Sequence, residues 1–180
     1  LSPKMVFDVI NENKPAGTVI ATDVGQHQMW TAQYLKHENT RKFVTSGGLG
    51  TMGYGLGAAI GAKFGRPDKT VINIAGDGCF RMNCHELSTV SYYKLPIISV
   101  VFNNGTLGMV RQWQELFYNK RYSFTELVNP DFELLAKANH IPYRCVERHE
   151  ELDEAITQMR ESEGAFLLEV RVQREENVFP

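Results

Sequence analysis

Two hydrophobic periods take turns along this chain. Short apolar runs rich in β-branched residues occur at 18–22 (TVIAT), 42–45 (KFVT), 70–75 (TVINIA) and 97–102 (IISVVF), and two more, PYRCV and FLLEVRV, come near the end. Runs of this length between Gly, Pro, Asn or Asp predict strands. Between them apolar positions recur every three or four residues, which predicts helices at QHQMWTAQYL, GYGLGAAIGAKF, HELSTVSYYK, GMVRQWQELFY, DFELLAKANH and EELDEAITQMRE. A further helix opens at Ser2-Pro3, an N-cap followed by proline at the first helical position, with Met5, Val6, Val9 and Ile10 on one face.

The local punctuation adds three expectations. Asn83 and Glu86 have capping-box spacing ahead of HELSTVSYYK, and Asn129-Pro130 reads as the cap of DFELLAKANH after a polar stretch at 119–128. Gly53, Gly57 and Gly61 fall on one helical face at four-residue spacing. Each interior glycine costs about 1 kcal/mol relative to alanine, so the row predicts a close neighbour on that face, a strand sooner than a partner helix.

The alternation is β-α-β-α throughout, and several strands are apolar on both faces. That combination predicts an α/β fold, a doubly wound parallel sheet with helices on both faces. No internal repeat or low-complexity linker interrupts it, so residues 1–180 read as one domain.

Composition narrows the function classes. The chain has 180 residues, 43% hydrophobic, and a formal net charge of -2 with acids and bases interspersed. No basic face or polybasic run suggests nucleic acid or anionic lipid. The apolar runs are strand-sized, well short of the roughly 20 residues that span a bilayer. Cys79, Cys84 and Cys145 form no CxxC pair and are odd in number, which fits reduced thiols in a cytosol-like compartment. The sequence begins at Leu1 without methionine and stops at REENVFP directly after a strand-like run, so it reads as part of a longer chain.

The chemistry gathers where strands end. GDG, at Gly76-Asp77-Gly78, follows TVINIA, and the amide pair Asn103-Asn104 follows IISVVF. Ligands of open α/β sheets bind beyond the carboxyl ends of strands, and a right-handed crossover brings both ends to one edge. Either Asp77 or Asn104 alone reads as a turn residue. Together they offer hard oxygens suited to Mg²⁺, with open positions for phosphate oxygens. Main-chain N–H groups at a helix start near Cys79–Phe80 would bind the same phosphates, and the glycines beside Asp77 would let backbone approach an anion.

At these residues the chain resembles thiamine-diphosphate enzymes. Gly76-Asp77-Gly78 followed some two dozen residues later by Asn103-Asn104 is similar to their signature; TDVGQHQMW, SGGLGTMGYGLG and LGMVRQWQELFYNKRYS resemble the catalytic subunit of acetohydroxyacid (acetolactate) synthases over essentially the whole chain, as that family's C-terminal cofactor-binding domain. The resemblance implies a thiamine-diphosphate-binding fold and Mg²⁺ held by Asp77, Asn104 and the Thr106 carbonyl. It implies that Val24, Gly25, Gln26 and His27 line the diphosphate, with His27 donating to it, and that Gly76, Gly78, Cys79, Leu107 and Gly108 border the cofactor. Gly50 and Met52 would contact the aminopyrimidine, Met82 would sit under the bent cofactor, and Met109, Val110 and Trp113 would face substrate.

The activity so implied is that of a carboligase, decarboxylating pyruvate and joining the product to a second 2-ketoacid, pyruvate or 2-ketobutyrate, at the start of branched-chain amino acid biosynthesis. A wide indole at Trp113 would reward the extra methylene of 2-ketobutyrate by about 1–3 kcal/mol. A core aromatic on an amphipathic helix is the other reading of Trp113. The resemblance also implies a cytoplasmic homodimer or tetramer of a longer chain, FAD in a middle domain, a glutamate supplied to the pyrimidine by a partner subunit, and room for a small regulatory subunit. The 180 residues alone would then be nearly inactive. Gly57 stands where the family commonly has proline, Cys79 where serine is usual, and His85 where another polar residue is commoner.

Two rival readings remain at this level. GLGTMG at 48–53 matches G-x-G-x-x-G and precedes a helix, as in a nicotinamide-dependent oxidoreductase, with Asp68 as the acid about 20 residues on. A non-catalytic module needing a partner chain is the second. His37, His140 and His149 read as exposed or capping residues, and RHEELDE as a solvated helix start.

Overall fold

Strands β1 (Val19–Thr22), β2 (Phe43–Thr45), β3 (Val71–Gly76), β4 (Ile97–Asn103), β5 (Tyr143–Val146) and β6 (Phe166–Arg171) form a single sheet in the order β2-β1-β3-β4-β6-β5. Every pairing is parallel. The computed structural model describes residues 1–36 and 41–179. The helices are α1 (Pro3–Asn13), α2 (Gln26–Tyr34), α3 (Tyr54–Gly65), α4 (Asp77–Asn83), α5 (Leu87–Tyr92), α6 (Gly108–Phe117), α7 (Phe132–Ala138) and α8 (Leu152–Glu161).

Side chains on β3 alternate between two cores, because successive Cβ atoms of a strand point to opposite faces. Ile72 and Ile74 join Phe7 and Ile10 of α1, Trp30 of α2 and Ile156 of α8. Val71 and Ala75 join Leu56 and Ile60 of α3, Phe80 of α4, Val90 of α5 and Phe132 of α7. Both sheet faces are therefore covered, which is why the central strands are apolar on both sides. This is the doubly wound parallel sheet expected from the pattern. Among the described residues no helix is long and apolar enough to cross a membrane.

The chain leaves β1 for β2 on one side and returns to β3 on the other. The loops after β1 and β3 diverge at this switch of direction, opening a crevice at the carboxyl edge of the sheet.

Three local expectations are corrected. Asn83 caps nothing through its side chain; it ends α4 and donates to the Gly53 carbonyl at 2.6 Å, while Glu86 accepts from Thr89 Oγ1 at 2.8 Å. The cap of α7 is Asp131, accepting from Leu134 N at 2.9 Å, and not Asn129. In the glycine row, a Cβ built at Gly57 or Gly61 meets nothing within 4 Å, and only Gly53 is closely packed, against Met82 and Asn83 of α4 rather than a strand. Close approach to a strand occurs instead at Gly55, where a Cβ would lie 2.7 Å from Asn73 Oδ1 and 2.8 Å from Asp23 N. Ser2 precedes α1 with Pro3 in the first turn, but its hydroxyl makes no cap bond. His140 and His149 are exposed as expected, and His37 lies outside the described residues.

Candidate functional site

Three loops meet in the crevice: Val24 to His27 after β1, Gly76 to Cys79 after β3, and Asn104 to Gly108 after β4. Their closeness depends on glycine. A Cβ at Gly76 would fall 2.7 Å from His27 Nδ1, one at Gly78 2.9 Å from Leu107 Cδ2, and one at Gly108 1.9 Å from Gln26 Oε1. The glycines beside Asp77 thus admit neighbouring side chains, where the sequence suggested an approaching anion.

Asp77 opens α4 and is 2% exposed. Its Oδ2 accepts from Asn129 Nδ2 at 2.7 Å and Gly105 N at 3.0 Å. Burial pushes its pKa above the ordinary carboxylate value, and the hydrogen bonds from Asn129 and from main-chain N–H groups pull the other way. A cation facing this carboxylate would offset the desolvation that raises it. Asn104 donates to Gln26 Oε1 at 3.3 Å and accepts from Thr106 N at 3.1 Å. The Thr106 hydroxyl is turned away, donating to the Thr125 carbonyl at 2.8 Å, so only its main chain is available to the crevice.

His27 is 5% exposed, and its Nε2 has no hydrogen-bond partner. Burial drives its pKa down to about 3, opposed by a hydrogen bond to the Asp23 main chain. A buried, unpartnered ring nitrogen costs about 1–3 kcal/mol, a cost that a phosphate oxygen on the crevice side would relieve once Nε2 carries a proton to donate. Cys79 donates its thiol to the Val24 carbonyl at 2.9 Å, tying α4 to the loop after β1. Burial and the nearby Asp23 charge raise that thiol to about 12, so it is a packing group and no nucleophile. Among the described residues no three His, Cys, Asp or Glu side chains cluster as a metal site. A cation here would rely on Asp77, Asn104, a main-chain oxygen and oxygens of its ligand.

An apolar cleft of about 240 Å³ adjoins the crevice and brings together Gly50, Met52, Met109, Val110, Val24 and Leu107. Met52 borders both spaces. Met82 borders neither; half exposed, it has its Cβ 3.2 Å from where a Gly53 Cβ would be, so the methionine at the crevice is Met52 and not Met82. Trp113 is 57% exposed on the outer face of α6, its ring centroid 5.3 Å from that of Phe117. It is neither a core aromatic nor part of the cleft wall. Val110, Leu116 and Phe117 are exposed beside it.

Residues 23–170 match the family described as thiamine pyrophosphate enzyme, C-terminal TPP binding domain. The chain belongs to this family. It is 49% identical over 98% of its length to the acetolactate synthase isozyme 2 large subunit of Escherichia coli (strain K12), covering 32% of that protein. It is 44% identical over its whole length to the acetolactate synthase large subunit of Lactococcus lactis subsp. lactis (strain IL1403), covering 31%. The mitochondrial acetolactate synthase catalytic subunit of Saccharomyces cerevisiae (strain ATCC 204508 / S288c) is 47% identical over 90% of the chain, which covers 24% of it. The chain thus spans about a third or less of the length of these curated relatives.

The crevice of this thiamine-diphosphate-binding domain lies at the switch of strand direction, where open α/β sheets bind their ligands. The nicotinamide reading fails here on two counts. Asp23, 1% exposed, accepts from Gly53 N at 2.7 Å and Gly55 N at 3.1 Å, so the helix start after GLGTMG is already filled by a carboxylate. Asp68 lies before β3, at the other edge of the sheet, paired on the surface with Arg66 and Lys69.

Sequence reasoning missed several residues. Asn129, read as a helix cap, reaches Asp77. Gln112, 4% exposed, accepts from Gln26 Nε2 at 3.1 Å and from Val178 N at 2.9 Å. Gln26 also donates to the Glu176 carbonyl at 2.9 Å, so the segment after β6 straps α2 and α6 beside Asn104. The segment after α6 returns as well, with Leu107 N donating to the Thr125 carbonyl at 2.8 Å. No local signal marked these contacts.

Proposed function

We propose that this chain is the C-terminal domain of a longer acetolactate synthase catalytic subunit, holding Mg²⁺ and the diphosphate of thiamine diphosphate in the crevice between the loops after β1, β3 and β4. The observation that carries the reading is the convergence of a buried carboxylate, Asp77, and an amide, Asn104, on a crevice that also contains the unpartnered Nε2 of His27. Asp77, Asn104 and the Thr106 carbonyl would hold the cation. Val24, Gly25, Gln26 and His27 would border the diphosphate, with His27 Nε2 meeting a phosphate oxygen.

When bound, thiamine diphosphate supplies the electron sink that lets a 2-ketoacid lose CO₂ and be joined to a second one. The residues of this chain bind and orient. Met52 fills the apolar space between crevice and cleft, and Gly50, Met109 and Val110 keep the cleft apolar and limit water beside the reacting ketoacids. The substrates proposed are pyruvate and 2-ketobutyrate, placing the protein in branched-chain amino acid biosynthesis. The exposed apolar face of α6 supports contact with further parts of a longer chain or of a partner subunit in a dimer or tetramer. FAD and a regulatory subunit would belong to those parts. The free cysteines support a cytoplasmic setting. Residues 1–180 alone would be nearly inactive.

The test is calorimetric titration of thiamine diphosphate with and without Mg²⁺, for wild type and Asp77→Ala. The expected result is binding that requires Mg²⁺ and is lost in the variant. Binding that ignores both the metal and the substitution sinks the site assignment, and acetolactate formation by the 180 residues alone sinks the expected inactivity.

A further inference from the structure

Glu169 is a charged side chain in an apolar strand. It is 2% exposed on β6, between Leu168 and Val170 in sequence and flanked across the sheet by Val101 and Cys145. Burying a carboxylate is costly unless donors surround it. Three do: Tyr143 OH donates to Oε2 at 2.5 Å, while Asn103 Nδ2 and Arg171 Nε donate to Oε1 at 2.8 and 3.1 Å.

The contact with Asn103 reaches the cation site. With its NH₂ group turned to Glu169, Asn103 must present Oδ1 to the opposite side. There Oδ1 accepts from Gly105 N at 3.1 Å and from Asn129 Nδ2 at 3.2 Å. The same two donors reach Asp77 Oδ2, at 3.0 and 2.7 Å. Each donor is therefore held between Asn103 and Asp77. A flipped Asn103 would set NH₂ against both donors and push them off line. Gly105 makes the turn feasible, with φ of 66°, a region glycine enters without strain.

We propose that Glu169 is a positioning residue for Asp77, locking the orientation of the Asn103 amide and through it the two hydrogen bonds that aim the Asp77 carboxylate into the crevice. The inference rests on the reading that Asp77 holds Mg²⁺. Nothing in it requires Glu169 to touch cation, cofactor or substrate. Tyr143 holds the other carboxylate oxygen, and Arg171 shares Oε1 with Asn103. Glutamine at 169 keeps an acceptor for Asn103, and the Tyr143 hydroxyl can turn to accept from the new NH₂ group. Leucine keeps the bulk and removes the acceptor.

The experiment uses the full-length protein with saturating thiamine diphosphate. It measures the Mg²⁺ dissociation constant by calorimetry, alongside the melting temperature without metal, for wild type, Glu169→Gln and Glu169→Leu. Supporting groups of this kind weaken metal affinity by about 10–100-fold when lost. Glu169→Leu should weaken Mg²⁺ by at least about tenfold and Glu169→Gln by less than about threefold. A leucine variant that melts lower but binds Mg²⁺ like wild type overturns the inference, since Glu169 would then hold only the fold. If that variant does not fold, Asn103→Leu breaks the same relay while leaving Tyr143 and Arg171 on Glu169, and unchanged Mg²⁺ affinity there overturns it equally. Mg²⁺-independent binding by wild type would instead remove the role of Asp77 and the inference with it.

Discussion

The amide of Asn129 donates to Asp77 Oδ2 at 2.7 Å, joining residues 52 positions apart. Asn129 sits just before α7, and Asp77 begins α4 on the other side of the loop after β4. The carboxylate is thereby fixed by groups from two separate connections while remaining buried, and the cation proposed above would offset its charge.

That state predicts a pH signature. The folded-state pKa of Asp77 is raised, so the folded protein takes up its proton more readily than the unfolded chain. Its contribution to stability is fully present below the unfolded carboxylate value and is lost as pH rises through the folded value. Without metal, the stability of wild type relative to Asp77→Asn should fall as pH rises through that window. Saturating Mg²⁺ with thiamine diphosphate should flatten the difference. Urea midpoints of the two proteins across mildly acidic pH give the comparison, and a wild type that gains stability relative to Asp77→Asn as pH rises contradicts the account.

His27 carries the opposite sign. Its pKa falls from 6.5 to about 3 on folding, so the unfolded chain binds the proton more readily. Stability from the neutral ring is present above 6.5 and lost as pH falls toward about 3, at up to about 1.4 kcal/mol per pH unit. His27→Phe should show a shallower acid slope in this range. The same variant should bind thiamine diphosphate more weakly, by about tenfold for a lost hydrogen bond to a charged group. Equal acid slopes for the two proteins would mean the ring is solvated and not buried.

The glycines of α3 separate two roles that look alike in sequence. Gly57→Ala and Gly61→Ala should each stabilise the protein by about 0.5–1 kcal/mol, because their sites are helical and open. Gly55→Ala should destabilise it by about 1–3 kcal/mol, because the methyl would meet the Asp23 main chain and Asn73. Thermal melting of the three variants decides it. A stabilised Gly55→Ala would mean that α3 can move off the sheet.

Much of the fold was legible because periodicity is a local property. TVINIA and IISVVF are apolar on both faces, and only a sheet covered on both sides satisfies such strands. The meeting of Asp77 with Asn104 was legible too, since one crossover separates them and its handedness is nearly invariant. The same local logic misassigned Asn129, whose Asn-Pro context is typical of a cap, and the glycine row, whose spacing names a face without saying what lies against it.

By itself, then, the sequence determined the strand and helix order, the two-sided core and the edge of the sheet at which chemistry gathers, because each follows from short-range pattern and chain chirality. Tertiary structure alone decided that Met52 and not Met82 borders the crevice, that Trp113 faces outward, that Asp23 fills the start of α3, that Asn129 reaches Asp77 and that Glu169 reaches Asn103. Those choices depend on contacts across loops and neighbouring strands, where the entropy of closing the chain is repaid only by the packing of the whole domain.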